Sequence, residues 1–340
     1  MRPTTKDLAQ AAGVSLATVD RVLNERPGVR KNTVVRVNQA IEKIGFTRNL
    51  AAASLARGKN FRFLFLLPRR GDLFLQELIA QIYEANSAFA AEMIRVEVVP
   101  ISDDDPYKIA QLLAAYEPDM VDGIAIMAAE TPQTRDAKAR LIERGIEAVS
   151  FISGPGTSDN VHFVGIDNRA AGATAGRLMG RFSSARTGKI LVIAETMLAR
   201  DSLERRLGFD AVINTDYPRL IVLPSLETYG DSDRAARIIG ASFANHPDIV
   251  GVYVPSSESR LPLTHLANQM TNQKPVIVAH ERTTYNEDGL RSDQIDALIT
   301  QDTGHLVRSA IRILRAKCDR RHILASQERI RIEILLKENI

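Results

Sequence analysis

The chain has 340 residues and a mass of 37.5 kDa, with 45% hydrophobic and 25% charged residues, 20 glycines and 14 prolines. That is ordinary globular composition, long enough for two or three domains, and it excludes a disordered, collagen-like or disulfide-scaffold protein. The single cysteine, Cys318, has no intrachain partner, no Cys/His cluster has zinc spacing, and no 18-residue apolar run occurs. The opening residues lack the apolar core of a signal peptide, so the expectation is a cytoplasmic chain without membrane contact, metal or cofactor.

The net charge of +3 conceals an asymmetry. Residues 1–59 hold eleven lysines and arginines against four carboxylates, a head of +7, and the rest of the chain is −4. A basic head on a mildly acidic body suits contact with a polyanion at one end. A basic, solvated helical surface would show the same charge.

The head reads as three short helices. The first runs from about Thr5 to Ala12, with Leu8, Ala9 and Ala12 inward, Thr4 or Thr5 as cap and Gly13 as a left-handed stop. Val14 fills the turn, and Ser15 caps a second helix from Leu16 to about Asn24 with Val19, Val22 and Leu23 inward. A third, Asn32 to Ile44, carries Val34, Val37, Ile41 and Ile44 and stops at Gly45. Helix, glycine-containing turn, helix is helix-turn-helix spacing. The alanine-rich stretch 49–56 is too short to stand alone as a helix in water.

From Phe61 onward, β-rich runs alternate with amphipathic segments. Strands are predicted at Phe61–Leu67, Arg95–Ile101, Gly123–Met127, Ala148–Ile152, Phe163–Ile166, Lys189–Ala194, Leu220–Leu223, Val250–Val254, Pro275–Ala279, Ala297–Thr300 and, last, Arg329–Leu336. Helices are predicted over 74–91, 134–143, 169–182, 203–213, 231–245 and 304–317. Repeated βαβ units imply parallel sheets, and so many strands fit two doubly wound lobes. The predicted class is thus α/β, an all-α helix-turn-helix domain followed by a two-lobed, doubly wound parallel-sheet domain.

Thr5-Lys6-Asp7-Leu8-Ala9-Gln10-Ala11-Ala12-Gly13-Val14-Ser15 and Ala17-Thr18-Val19-Asp20-Arg21-Val22-Leu23-Asn24 resemble the head of the LacI/GalR family of bacterial transcription regulators. The likeness continues through Val29-Arg30-Lys31-Asn32-Thr33 and Ile44-Gly45-Phe46-Thr47-Arg48-Asn49 to Leu55. Beyond it, Gly165-Ile166-Asp167-Asn168, Arg205-Arg206-Leu207-Gly208-Phe209 and Ala297-Leu298-Ile299-Thr300-Gln301-Asp302 fit the family's periplasmic-binding-protein-like effector domain. The resemblance implies a DNA-binding domain at 1–47, a hinge helix at 48–59, and an effector-binding and dimerisation domain at 60–340. Lobe 1 is expected at about 60–166 and 301–326, and lobe 2 at about 167–300 and 327–340.

In the second helix, Leu16, Ala17, Asp20 and Arg21 lie on the outward, N-terminal side that suits a major groove. Arg21 can pair with guanine O6 and N7 or contact a phosphate. The resemblance implies that Leu16 and Ala17 are specificity positions, able here to meet a thymine methyl only. Asp20 replaces the family's usual serine and either accepts from cytosine N4 or orients a basic neighbour. Thr4, Ser15, Thr18, Asn24, Arg30, Lys31 and Asn32 are candidates for phosphate contacts and helix caps. By the resemblance, Leu55 is a minor-groove wedge and Ala52 the small residue where two hinge helices meet, and a buried leucine in a plain linker is the alternative. Leu50 departs from an often polar family position.

No dinucleotide, P-loop, nucleophile-elbow or metalloprotease motif is present, and the six histidines are scattered. A two-lobed α/β body places its ligand at the carboxyl ends of strands. Candidates there are Arg69, Arg70, Asp72, Phe74, Ser153, Asp167, Ser256 to Glu258, Glu281 and Gln301. The resemblance supports Phe74 as a wall, Arg205 as the clamp on the effector, and Glu281 and Gln301 as polar contacts. Such residues suit a sugar or polyol. If Arg69 or Arg70 joined Arg205, a sugar phosphate or sugar acid would fit better. At Asp167-Asn168, anchoring of a crossover competes with ligand contact. The expected function is an effector-controlled homodimeric DNA-binding regulator, a repressor bound to double-stranded operator DNA on the bacterial nucleoid. The alternatives are a sugar-binding protein and a sugar-metabolising enzyme with an appended DNA module.

Overall fold

The structure, a computed structural model, describes residues 3–23, 27–46, 60–69, 71–102, 105–154, 161–267, 269 and 274–340. It divides into two compact units, essentially residues before and from Phe61.

The head holds α1 (Thr5–Ala12), α2 (Leu16–Leu23) and α3 (Lys31–Ile44). Thr4 and Asp7 cap α1 reciprocally, and Gly13 and Gly45, both at φ 61°, close α1 and α3. After each glycine the chain turns inward: Val14 N–H donates to Ala9 O and Phe46 N–H to Ile41 O. Leu8, Ala9, Ala12, Val19, Val37, Ala40 and Phe46 form the buried core, with Val14, Val22 and Leu23 half-buried around it.

In the body, a first sheet runs in the order β2 (Ile94–Ile101), β1 (Phe61–Pro68), β3 (Gly123–Ile126), β4 (Glu147–Phe151), β5 (His162–Val164), all parallel. The alternation in β1 decides its two faces. Phe61, Phe63 and Phe65 pack under α4 (Leu73–Phe89) and, from much later in the chain, α12 (Thr303–Cys318). Leu66 faces the other way, with α5 (Pro106–Ala114) and α6 (Pro132–Glu143).

A second sheet has the order β12 (Glu333–Leu335), β11 (Ala297–Thr300), β10 (Val276–His280), β9 (Ile249–Val254), β6 (Gly188–Ala194), β7 (Leu220–Val222), with β8 (Leu226–Glu227) also on β6. Only β12 is antiparallel among its described pairings. Ile190, Val192, Tyr253 and Val278 face α7 (Asn168–Phe182) and α8 (Arg200–Asp216). Leu191, Ile193, Val252, Val254 and Ile277 face α9 (Ser232–Asn245), α10 (Arg260–Ala267) and α11 (Thr284–Arg291). The chain reverses strand order between β1 and β3 in one sheet and between β6 and β9 in the other, and α/β folds bind ligands beside such points.

Several elements differ from expectation. The final strand spans only Glu333–Leu335, because residues 329–332 form an extended crossover that buries Ile330, with the short α13 (Ala325–Glu328) before it. Helices α5, α10 and α11 lie outside the predicted set.

Helices α7 and α8 touch backbone to backbone. A Cβ on Gly172 would lie 1.8 Å from the Arg205 carbonyl oxygen, and one on Gly208 1.9 Å from that of Arg169. Gly172→Ala and Gly208→Ala are each expected to cost about 1–3 kcal/mol by forcing the helices apart. Gly240→Ala on α9, where a Cβ meets only the Gln269 side chain at 3.7 Å, should leave stability equal or higher. Denaturant unfolding of the three variants checks this, and equal stability at all three sites would contradict the close packing.

Candidate functional site

In the head, Ser15 and Thr18 cap α2: the Thr18 N–H donates to Ser15 Oγ at 3.2 Å, and the two hydroxyls lie 2.9 Å apart. That cap fixes the direction of α2, whose outward face carries exposed Leu16, Ala17, Asp20 and Arg21. Leu16 is 46% exposed, an apolar side chain with no core to fill. A concavity of about 300 Å³ beside it is lined by Ser15, Thr18, Arg21, Arg30, Thr33 and Arg36 among others. Three guanidinium groups and three hydroxyls around one hollow suit a phosphate oxygen. Thr33 and Arg36 escape the sequence reading because α3 looked like a scaffold helix. Thr4 is the α1 cap, Arg30 is the N-cap residue of α3 without a side-chain cap bond, and exposed Asn32 lies in its first turn. Asn24, Leu50, Ala52 and Leu55 lie outside the described residues.

In the body, four parallel strands deliver the candidate residues. Glu195 follows β6, Ser256 follows β9, Glu281 follows β10 and Gln301 follows β11. Arg205, on α8, reaches into them with almost no exposure. Its Nε donates to Asn168 Oδ1 at 2.9 Å, its Nη1 to the Pro255 carbonyl at 2.9 Å and its Nη2 to Glu281 Oε1 at 2.6 Å. Gln301 Nε2 lies 3.4 Å from the same Glu281 oxygen. Glu281 takes a left-handed φ of 66°, held because Asn286 Nδ2 donates to the carbonyls of both His280 and Glu281 and Ser259 Oγ donates to Asn286 Oδ1. Glu281 Oε2 and Gln301 Oε1 are buried without a hydrogen-bond partner.

Burial disfavours the Arg205 charge, but its surroundings, Glu281 first and then Asp201, together outweigh that and hold the guanidinium protonated. Burial pushes the Glu281 carboxyl upward, with Arg205 opposing. His280, whose Nε2 lies 2.9 Å from the Tyr253 hydroxyl, is held well below the usual histidine range by burial and then by Arg205. Tyr253 stacks on Phe209 at 4.1 Å, and burial pushes its phenol far upward, so it stays neutral.

The remaining candidates divide. Ser256 is buried and its Oγ accepts from the Glu195 N–H at 2.9 Å, closing the β6–β9 end. Asp72 caps α4 by accepting from the Leu75 N–H. Asp167 is exposed and caps α7, while its neighbour Asn168 is the residue in contact with Arg205. Phe74 is packed into the core of the first sheet, Ser153 is half-buried after β4, and Arg69 is exposed. Arg70 lies outside the described residues. A groove of about 1100 Å³ runs past Asp167, Asn168 and Arg329 along two of the crossovers, beside the Arg205 cluster rather than through it. Sequence reasoning missed the His280–Tyr253 pair and Asn286. It also missed Thr303, whose hydroxyl donates to Glu77 on α4 at 3.2 Å.

Two family models match the chain. That of the lacI family of bacterial regulatory proteins covers residues 4–49, and that of a periplasmic binding protein domain covers 63–321. The chain belongs to the periplasmic binding protein domain family, with a head of the lacI type. Among LacI-type relatives, the regulator RegA of Clostridium saccharobutylicum is 32% identical over 127 residues, 37% of each chain. The maltose regulon regulatory protein MalI of Escherichia coli (strain K12) is 32% identical over 168 residues, 49% of this chain and 47% of that one. The match thus spans less than half the length of these curated relatives. An ABC transporter solute-binding protein from Burkholderia graminis, solved in complex with D-arabinose, shares the fold with a TM-score of 0.69 at 19% identity, covering 83% of this chain and 96% of that one.

The histidine carries a pH prediction. An unfolded chain protonates His280 near pH 6.5, whereas the folded chain resists, so the unfolded state binds more protons as pH falls and stability drops below that pH. His280→Gln should flatten the loss of stability between about pH 6.5 and 5. A slope equal to that of the unaltered chain contradicts the burial of a neutral histidine.

Proposed function

We propose that the chain is a sequence-specific DNA-binding regulator, a repressor, which acts as a cytoplasmic homodimer and is controlled by a carbohydrate-like effector. The observation that carries the DNA half is the exposed, capped face of α2, with Leu16, Ala17 and Arg21 outward beside a hollow rich in arginines and hydroxyls. Helix and hollow divide the work of base readout and backbone positioning. The lacI-family match over the head supports the same assignment and disfavours a plain solute-binding protein or a sugar enzyme.

The effector half rests on Arg205, Glu281 and Gln301 at the strand ends of the second sheet, where α/β bodies take ligands. The D-arabinose in the solute-binding neighbour makes a sugar the natural class. Bound effector shifts the angle between lobes, and operator affinity changes to the extent that effector affinity differs between the two states. By resemblance, Leu55 of the hinge stretch is proposed to enter the minor groove in the operator complex, and Ala52 to be the small residue where two hinge helices meet. No cofactor, metal or catalytic step is assigned.

Selection of binding sites from a random duplex library tests this reading. Full-length protein should enrich a palindromic pair of half-sites, as a two-fold dimer requires. Equal retention of all sequences would contradict it. Arg21→Ala should then relax preference at one base pair of each half-site, by roughly 5- to 150-fold for a bidentate guanine contact. A loss equal on selected and random DNA would instead make Arg21 a phosphate contact.

A further inference from the structure

We propose that the groove along the crossovers binds a small organic anion, a carboxylate or phosphate group carried on a flat apolar body, at a site separate from the Arg205 cluster.

The groove, of about 1100 Å³, lies among the start of α7, α8 and the extended segment 329–332. Its chemistry follows from where three arginines stand. Ile330 is buried, so its neighbours Arg329 and Arg331 turn outward on one face of the extended chain, roughly 6.5 Å apart along the backbone. Arg169 enters from the first turn of α7, which holds no acidic residue. A guanidinium there meets the positive end of the helix dipole, where an anion is the favoured charge. Among the described residues, none of these three arginines has a side-chain hydrogen bond or ion pair.

The carboxylates that line the same groove are largely committed. Glu204 accepts from Arg200 Nε at 2.7 Å. Glu328 accepts from Arg312 Nε at 2.8 Å and Nη2 at 2.7 Å, and from Ser309 Oγ at 2.6 Å. Asp167 gives one oxygen to the cap of α7. Burial and then Lys317 hold His162 below the usual histidine range, so it adds little charge. Asp159 lies outside the described residues. Three uncommitted guanidinium groups thus face one partly used carboxylate, and a guanidinium fork matches carboxylate or phosphate oxygens. Phe163, Ile166, Ile332 and Leu207, the last 47% exposed, supply an apolar wall for the body of the ligand.

The position gives such a ligand a consequence. Residues 165–168 and 329–332 both carry the chain between the two sheets. Asn168, which accepts from Arg205 Nε, also lines the groove. An anion held by Arg169 on one crossover and by Arg329 and Arg331 on the other ties the two together and biases the angle between the lobes, an input separate from the cleft.

Calorimetric titration of the full-length chain at fixed ionic strength tests this, with phenyl phosphate, benzoate, benzyl alcohol and inorganic phosphate as probes. Phenyl phosphate or benzoate should bind about tenfold or more tighter than benzyl alcohol, which lacks the charge, and than inorganic phosphate, which lacks the apolar body. The double variant Arg329→Gln, Arg331→Gln should weaken that binding by about tenfold or more, whereas Gln301→Leu at the Arg205 cluster and Arg36→Gln in the head should leave it unchanged. Failure of both aromatic anions to bind overturns the proposal, as does inorganic phosphate binding as tightly as phenyl phosphate, which would mark surface charge alone. Binding that survives the double variant, or is lost with Gln301→Leu or Arg36→Gln, puts the anion elsewhere and overturns it too.

Discussion

The body is organised around a buried cation. Taking a guanidinium out of water costs several kcal/mol, and only a close counter-charge with further hydrogen bonds offsets it. Arg205 has Glu281 at 2.6 Å and two neutral acceptors at 2.9 Å. Each partner comes from a different element: Asn168 from α7, Pro255 from the end of β9, Glu281 from the end of β10. The arginine therefore fixes the relative position of one helix and two strand ends. The paired glycines Gly172 and Gly208 let α7 and α8 approach closely enough for Arg205 to meet Asn168. The left-handed backbone at Glu281 costs about 1–3 kcal/mol and is held by the Asn286 bonds.

Strain and unsatisfied acceptors at the same place have a consequence. Stability alone would favour an apolar residue of similar volume over a buried ion pair. Here the pair sits at the carboxyl ends of strands in the second sheet, and two acceptor atoms there, Glu281 Oε2 and Gln301 Oε1, have no partner. The crossovers that link the sheets pass the same residues: Asn168 begins α7, and Gln301 and Thr303 bracket the return into α12. A ligand that completes the hydrogen bonds of Glu281 and Gln301 therefore acts at the joints of the fold. In the proposed regulator, the atoms assigned to the effector would also be placed to bias one lobe arrangement over another.

Much of this was legible in the sequence, and the reasons differ by element. The head followed from glycine positions and apolar spacing, because Gly13 and Gly45 take left-handed caps wherever the tertiary context leads. The long strands announced themselves by β-branched and aromatic runs buried on both faces. Short helices such as α11, and the two-residue β8, depend on tertiary contacts and leave no periodic trace. Arg205, Glu281 and Gln301 stood after predicted strands or matched a family pattern, yet nothing in their spacing said that they would touch. Asn168 and His280 were harder. Asn168 hid behind Asp167, which makes the visible helix cap, and a lone histidine at a strand end carries no signal until Tyr253 is seen opposite it.

The most direct test of the organising pair is a double-mutant cycle on Arg205→Met and Glu281→Gln, read by denaturant unfolding. Either single change leaves a buried group without its partner and should cost about 3–5 kcal/mol. The double variant should be clearly more stable than the sum of the two losses requires, with an interaction of at least about 2 kcal/mol. Losses that add within about 0.5 kcal/mol would show that the two residues do not hold one another, and the account of the site would fail with them.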